Sequence, residues 1–201
     1  VRVTHMQIYR QQNWDVQPCY TYLLDLKQSE SELWNNLQSK QRTKINKIHN
    51  DKIEISKMNE PDDYFHLLKE TLFNNNLKQN LPYLRRIVYE YATVQNSFCF
   101  GAFKGDELLT ASFFILDKDT AYYIIGGHTS TSYHGAGAAS FWHAILFAKK
   151  IGLTILDFEG SMIPGVERYF RSFGPQLTVY YQASKVNKFI KLLFVLTNRN
   201  Y

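Results

Sequence analysis

The middle of the chain limits the fold more than any other part. Residues 97–103 (Ser-Phe-Cys-Phe-Gly-Ala-Phe), 107–116 and 120–125 are strand-like runs dense in aromatic and aliphatic residues. Between them stand only Lys104-Gly105-Asp106 and Asp117-Lys118-Asp119, connections short enough to force hairpins. Three strands joined in this way make an antiparallel meander ending at Gly126-Gly127. The pattern then changes. A loop over 128–137 leads to a helix over 138–151 that Gly152 stops at C′. A short buried strand (153–158), a short helix (164–173) and a strand (177–183) follow. A meander continued by βαβ crossovers requires one mixed sheet flanked by helices, an α/β or α+β domain.

The upstream half supplies the other elements. Residues 1–19 are polar and read as irregular, and residues 20–26 read as a strand. Ser29 with Glu32 three positions later forms a capping box. It opens a helix whose apolar residues Leu33, Trp34, Leu37, Ile45 and Ile48 run near a 3.6-residue period to about Asn50. Residues 52–57 alternate as a strand. Pro61 opens a helix ended by Asn74-Asn75-Asn76, and Pro82 opens another reaching about Gln95. From residue 53 the order is β-α-α-β-β-β-α-β-α-β. The expected organisation is an N-terminal extension over 1–52, possible remnant of a preceding domain, a main domain over 53–184 and a C-terminal helix over 185–201.

Composition excludes several classes. The 201 residues are 45% hydrophobic, too apolar for a disordered chain and enough for a core without staples. The net charge of +5 suits a phosphate-bearing partner but not a dedicated DNA binder. Cys19 and Cys99 make neither a zinc site nor a disulfide framework and fit a reducing cytoplasm. The histidines show no metal-ligand spacing, so no metal is expected. No apolar run is long enough to span a bilayer, and the first residues lack the pattern of a signal peptide.

The element order from residue 53 resembles the fold of the GNAT (GCN5-related N-acetyltransferase) superfamily. Leu156-Asp157-Phe158-Glu159-Gly160-Ser161, followed by Phe170-Arg171-Ser172-Phe173-Gly174, is similar to the FemAB-like branch, the peptidoglycan-bridge aminoacyltransferases and their relatives. So is the stretch 23–55, with its Asp-Leu strand end, Glu30-x-x-Leu33-Trp34 helix and Arg42-Thr43-Lys44-Ile45-Asn46-Lys47. FemAB-like enzymes usually carry two such domains in tandem, and this chain has length for one. The resemblance implies an acyltransferase acting on an amine, with acyl-CoA as co-substrate or aminoacyl-tRNA as donor, and no permanently bound cofactor. The acceptor would be a small amine or a peptidoglycan precursor, met in the cytoplasm, with the inner face of the membrane as a further setting. The alternative is a non-catalytic binding module or one half of a two-domain protein.

The resemblance also assigns residues. The strand at 120–125 would splay from the strand at 153–158, with Gly126 and Gly127 at its open end; the pair could equally be a turn. Gly135, Ala136 and Gly137, with His134, would cradle the coenzyme A pyrophosphate through backbone N–H groups, or else form a plain glycine-rich helix start. Ser132 stands where the superfamily has Gln or Arg. Asp157 and Glu159, two apart and so on one strand face, are the candidate carboxylates, Glu159 being favoured as the acid that binds or deprotonates the amine. They could instead cap a turn and pair with Arg168 or Arg171. Arg171, between Phe170 and Phe173, would approach the acceptor or hold an anion, or be a solvated helix charge. Tyr169 is a lesser candidate for general acid. The basic run Lys40, Arg42, Lys44, Lys47, His49 and Lys52 could meet a tRNA or nucleotide phosphate, with a solvated helix face the favoured reading.

Overall fold

The computed structural model describes residues 6–48, 50–129, 135–160 and 164–185. In chain order the elements are α1 (Gln7–Gln11), β1 (Asp15–Asp25), α2 (Glu30–Asn36), α3 (Ser39–Lys47), β2 (Glu54–Met58) and α4 (Pro61–Asn74). A 3₁₀ turn (Lys78–Asn80), α5 (Leu81–Arg86) and a π-helical turn (Ile87–Tyr91) follow. Then come β3 (Ser97–Lys104), β4 (Glu107–Leu116), β5 (Thr120–His128), α6 (Ala136–Lys150), β6 (Ile155–Asp157), α7 (Pro164–Arg171) and β7 (Gln176–Ser184). The strands form one mixed sheet in the order β2-β3-β4-β5-β6-β1-β7. The expected α+β architecture and the element order from residue 53 are both present.

Two compact units make up the chain: Val1–Thr21 with Leu177–Tyr201, and Tyr22–Gln176. In the smaller unit, Tyr9 meets Trp14 edge-on at 5.6 Å, and the Lys185 ammonium lies 5.7 Å from the Trp14 ring. The larger unit is a three-layer sandwich, because strand alternation sends side chains to both faces of its sheet. Phe98, Phe100, Ala102 and Phe114 face the layer of α3 and α6, joined by Leu24, Leu33, Ile45 and Ile48. Cys99, Ala111 and Phe113 face the layer of α4 and α5, packing on Tyr64, Leu67, Leu68 and Leu84. Covered on both sides, β4 is buried without a break from Leu109 to Phe114.

Several expectations are corrected. The first residues are not irregular throughout: α1 forms, and β1 begins at Asp15 rather than Tyr20. The helix opened by Ser29 keeps its capping box but does not run to Asn50. It breaks at Leu37, which is extended (φ −62°, ψ 140°), and α3 starts anew. Long-range partners fix the break: the Gln38 N–H donates to the Ser172 carbonyl at 2.9 Å, and the Arg42 guanidinium bonds the Asn35 and Leu37 carbonyls. Likewise the helix from Pro82 becomes α5 plus a π turn and ends at Ala92, not Gln95. The C-terminal helix expected over 185–201 falls, beyond Lys185, outside the described residues.

Gly126 and Gly127 do not end the meander; they lie inside β5, paired with Ser112 and Ala111. Their size answers to packing. A Cβ on Gly127 would stand 2.5 Å from the Leu67 carbonyl oxygen, where α4 crosses β5. A backbone obstacle cannot swing aside, so Gly127→Ala should cost about 1–3 kcal/mol, the range for overpacking. Chemical denaturation will measure this, and an unchanged midpoint would show that α4 does not sit as close to β5 as described.

Candidate functional site

The site begins where a strand pair stops. β5 and β6 run parallel and pair at Thr120↔Ile155, Ala121↔Leu156 and Tyr122↔Asp157, after which β6 ends while β5 continues to His128. Strands whose pairing ceases while one runs on leave a wedge. The chain leaves β6 abruptly because Glu159 and Gly160 both adopt left-handed backbone (φ 60° and 65°) and the Glu159 N–H donates to Asp157 Oδ1 at 2.8 Å. An aromatic cluster holds the base of the wedge. Phe158 stacks on Phe141 at 5.1 Å, Phe170 sits 5.3 Å from Phe158, and Tyr123 lies 5.1 Å from Phe141 and 5.6 Å from Phe170.

The residues named from sequence distribute themselves around this wedge. Asp157 lies at its apex, opposite Tyr122, and accepts the turn hydrogen bond from Glu159. The two carboxylates do not share a strand face, since the left-handed turn takes Glu159 out of the strand. Glu159 is exposed as a residue, yet its carboxyl is held above the usual carboxylate range, first by partial removal from water and second by the Asp157 charge. Arg171 does not pair with Glu159; its Nε meets Glu167 Oε1 at 3.1 Å. The same oxygen accepts the Tyr22 hydroxyl at 2.5 Å, a bond that, ahead of burial, raises the Tyr22 pKa. Arg171 thus belongs to a Tyr22–Glu167–Arg171 chain at the α7 surface.

The start of α6 lies near Thr110 of β4, which pairs with His128 at the far end of β5. Gly135 is the N-cap of α6 (φ 119°), and a Cβ there would stand 2.3 Å from the Lys44 carbonyl oxygen on α3. Ala136 is buried in the same contact. Gly137 is different: a Cβ on it would meet only Thr110 Oγ1, at an ordinary 3.8 Å. Its carbonyl accepts the Tyr169 hydroxyl at 3.1 Å. His134 lies outside the described residues. Ser140 fastens α6 to the sheet by donating to the Phe100 carbonyl at 2.9 Å.

Sequence reasoning missed Tyr123. The register slips between Phe113 and Phe114, which pair with Ile125 and Tyr123, and so leaves Ile124 as the extra residue of a β-bulge. The bulge puts Tyr123 and Gly126 on one face, where a Cβ on Gly126 would collide with the Tyr123 hydroxyl at 2.4 Å. Burial of the ring pushes the phenol pKa well up, so it keeps its proton across neutral pH. Among the described residues the Tyr123 hydroxyl has no hydrogen-bond partner, whereas that of Tyr169 is committed to Gly137. Cys99 is no nucleophile: burial raises its thiol. A cleft of about 770 Å³ opens apart from these residues, at the start of α4 and the β3–β4 turn, lined by Lys57, Glu60, Asp63, His66, Asp106 and Glu107 among others. No group of acids, histidines or cysteines suited to a metal occurs among the described residues, and none of their helices is long and apolar enough to cross a membrane.

No family model and no curated protein matches the chain. Solved structures do match. FemX superposes with a TM-score of 0.70 at 11% identity, over 90% of this chain and 64% of FemX. L-PGS from Bacillus licheniformis matches with a TM-score of 0.58 at 11% identity, over 98% of this chain and 70% of that one. A tandem GNAT protein from the clavulanic acid biosynthesis pathway matches with 0.52 at 9% identity, over 92% and 60%. The chain therefore resembles the GNAT and FemAB-like proteins in fold, and it spans a little under two thirds of FemX.

Two outcomes follow from the geometry. Gly135→Ala should destabilise by about 2 kcal/mol or more, because it joins a backbone clash to a positive φ. Gly137→Ala should be neutral or stabilising by up to about 1 kcal/mol, since alanine favours a helix. Equal effects of the two on the denaturation midpoint would contradict the packing described for α3. For Glu159, a folded-state pKa above the unfolded one means a contribution present below the ordinary carboxylate pKa and lost as pH rises through the folded value. Glu159→Gln should therefore match the wild type near pH 4 and melt higher by pH 7, by about 0.5 kcal/mol on the scale of surface substitutions. A variant that melts lower than wild type at pH 7 would reverse the sign and show a stabilised carboxylate.

Proposed function

We propose that this protein transfers an acyl group from acyl-coenzyme A to an amine. The observation that carries the reading is the wedge between β5 and β6, which opens after Tyr122↔Asp157 beside the turn at Glu159. β5 beyond Tyr122 has backbone N–H groups on its β6 side to which β6 is not paired, so a thioester carbonyl entering there can accept one of them. The donor's phosphates would lie at the start of α6, where the first-turn N–H groups and the helix dipole favour an anion.

Transfer needs a neutral amine and a protonated leaving group. Glu159 is the acceptor of the amine's proton, directly or through one water, and its raised pKa makes it a better base than an ordinary carboxylate. The amine nitrogen bonds to the acyl carbon, the carbon–sulfur bond breaks, and the sulfur takes a proton from the Tyr123 hydroxyl, which retains one at neutral pH. Asp157 positions Glu159 through the turn it caps. Arg171, tied to Glu167, has its guanidinium held at the α7 surface and orients that helix. The same wedge would serve an aminoacyl-tRNA donor, with exposed Lys40, Lys44 and Lys47 on α3 meeting the nucleic acid.

Thermal-shift series with acetyl-CoA, longer acyl-CoAs and an aminoacyl-tRNA separate the donors, and no shift with any of them would sink the reading. Tyr123→Phe removes one oxygen from a well-packed ring. It should leave melting temperature and donor binding nearly unchanged while lowering kcat about tenfold to a thousandfold, the usual loss for one well-placed donor or acid. Full activity in this variant would remove Tyr123 from the chemistry.

A further inference from the structure

One edge of the sheet is guarded and the other is not. The N–H and C=O groups along an edge strand invite another strand, and proteins blunt such edges with charge, proline, bulges or short length. β2, at one end of the sheet, is five residues long and carries Glu54 and Lys57. β7 is the edge at the other end among the described residues, and its nine residues include no charge and no proline. Strand alternation divides β7 into two faces. Leu177, Val179, Tyr181 and Ala183 share one face, and the even-numbered residues, all uncharged, share the other. The first face is wholly apolar, yet Leu177 is 53% exposed, Val179 48% and Tyr181 47%. A long, uncharged edge strand with large apolar side chains in water is a surface built for pairing.

The strand also has the same pattern in both directions. About Tyr180, apolar and polar positions mirror one another: Val179 against Tyr181, Thr178 against Gln182, Leu177 against Ala183 and Gln176 against Ser184. Two antiparallel copies related by a two-fold axis at this residue therefore set apolar side chains opposite apolar ones and polar opposite polar. A strand without charge has no electrostatic means of selecting a different partner, whereas self-complementarity is what a two-fold pair requires. We propose that β7 pairs with β7 of a second copy of this chain, antiparallel and centred on Tyr180, so that two sheets become one. On the apolar face, Val179 of each copy meets the partner's Tyr181, a β-branched residue against an aromatic ring, and Leu177 meets the partner's Ala183. This assignment does not depend on the acyl-transfer reading.

Sedimentation velocity over a wide range of protein concentration tests this, with two variants that separate the interface from its register. The wild type should form a dimer. Val179→Lys with Tyr181→Lys sets lysine opposite lysine twice, and should raise the dimer dissociation constant about tenfold or more. Val179→Lys with Tyr181→Glu sets each lysine opposite a glutamate of the other copy, and should return the constant to within about threefold of the wild type. Restoration by the opposite charges identifies the register, which a general loss of apolar surface would not. A wild type that stays monomeric overturns the proposal and leaves β7 to a different cover. A dimer that both variants leave unchanged places the interface elsewhere and overturns it too, as does a lysine–glutamate variant no better than the lysine–lysine one. Should either variant fail to fold, judged by circular dichroism, amide hydrogen exchange on the wild type decides. Protection over residues 176–184 that rises with protein concentration supports the pairing, and protection independent of concentration overturns it.

Discussion

The site depends on a pairing only three residues long. β5 is bonded along its whole course to β4, but to β6 only from Thr120 to Tyr122. Two interactions limit that second ladder. The left-handed turn at Glu159 and Gly160 takes the chain out of the sheet, and Phe158 is held in the aromatic cluster of Phe141 and Phe170. A non-glycine residue in left-handed backbone costs about 1 kcal/mol, which the bond from its own N–H to Asp157 helps offset. A longer β6 would continue its ladder along β5 and close the wedge. The strain at Glu159 and the opening beside Tyr123 are therefore one feature.

Both faces of the sheet carry helices pressed unusually close. α4 approaches β5 at Gly127 and α3 approaches α6 at Gly135, and in each place a backbone carbonyl occupies the position a Cβ would take. The first contact fixes α4 on β5, and the second fixes the start of α6 on α3. The second also ties α3, from the upstream part of the chain, into the same core as α6 through Ile45, Ile48, Ala136 and Ala139. The start of α6 is thus shaped by α3.

Local chemistry was legible in the sequence, and long-range chemistry was not. The hairpin turns, the Ser29–Glu32 capping box, Pro61 at the start of α4 and Gly152 after α6 each depend on neighbours a few residues away. The break at Leu37 depends on Ser172, which is remote in sequence, so periodicity alone reads straight through it. Gly126 and Gly127 look like a strand end because glycine usually marks one. Here they are small because the Tyr123 hydroxyl and the Leu67 backbone occupy their space. Tyr123 was hidden as one of 14 tyrosines and 14 phenylalanines that composition assigns to the core.

The bulge at Ile124 shows how one residue sets the chemistry of the wedge. In a regular strand, residues three apart point to opposite faces, so Tyr123 and Gly126 would be separated by the sheet. The inserted residue puts Ile124 and Ile125 together on the α4 side, where both join that core, and returns Gly126 to the face of Tyr123. The ring can then lie along β5 with its hydroxyl over the glycine, packed by Phe114 and Phe141. A side chain at 126 would displace the hydroxyl, and a strand without the bulge would bury the ring in the α4 core. The phenol reaches the place where β5 and β6 separate because the bulge and Gly126 occur together.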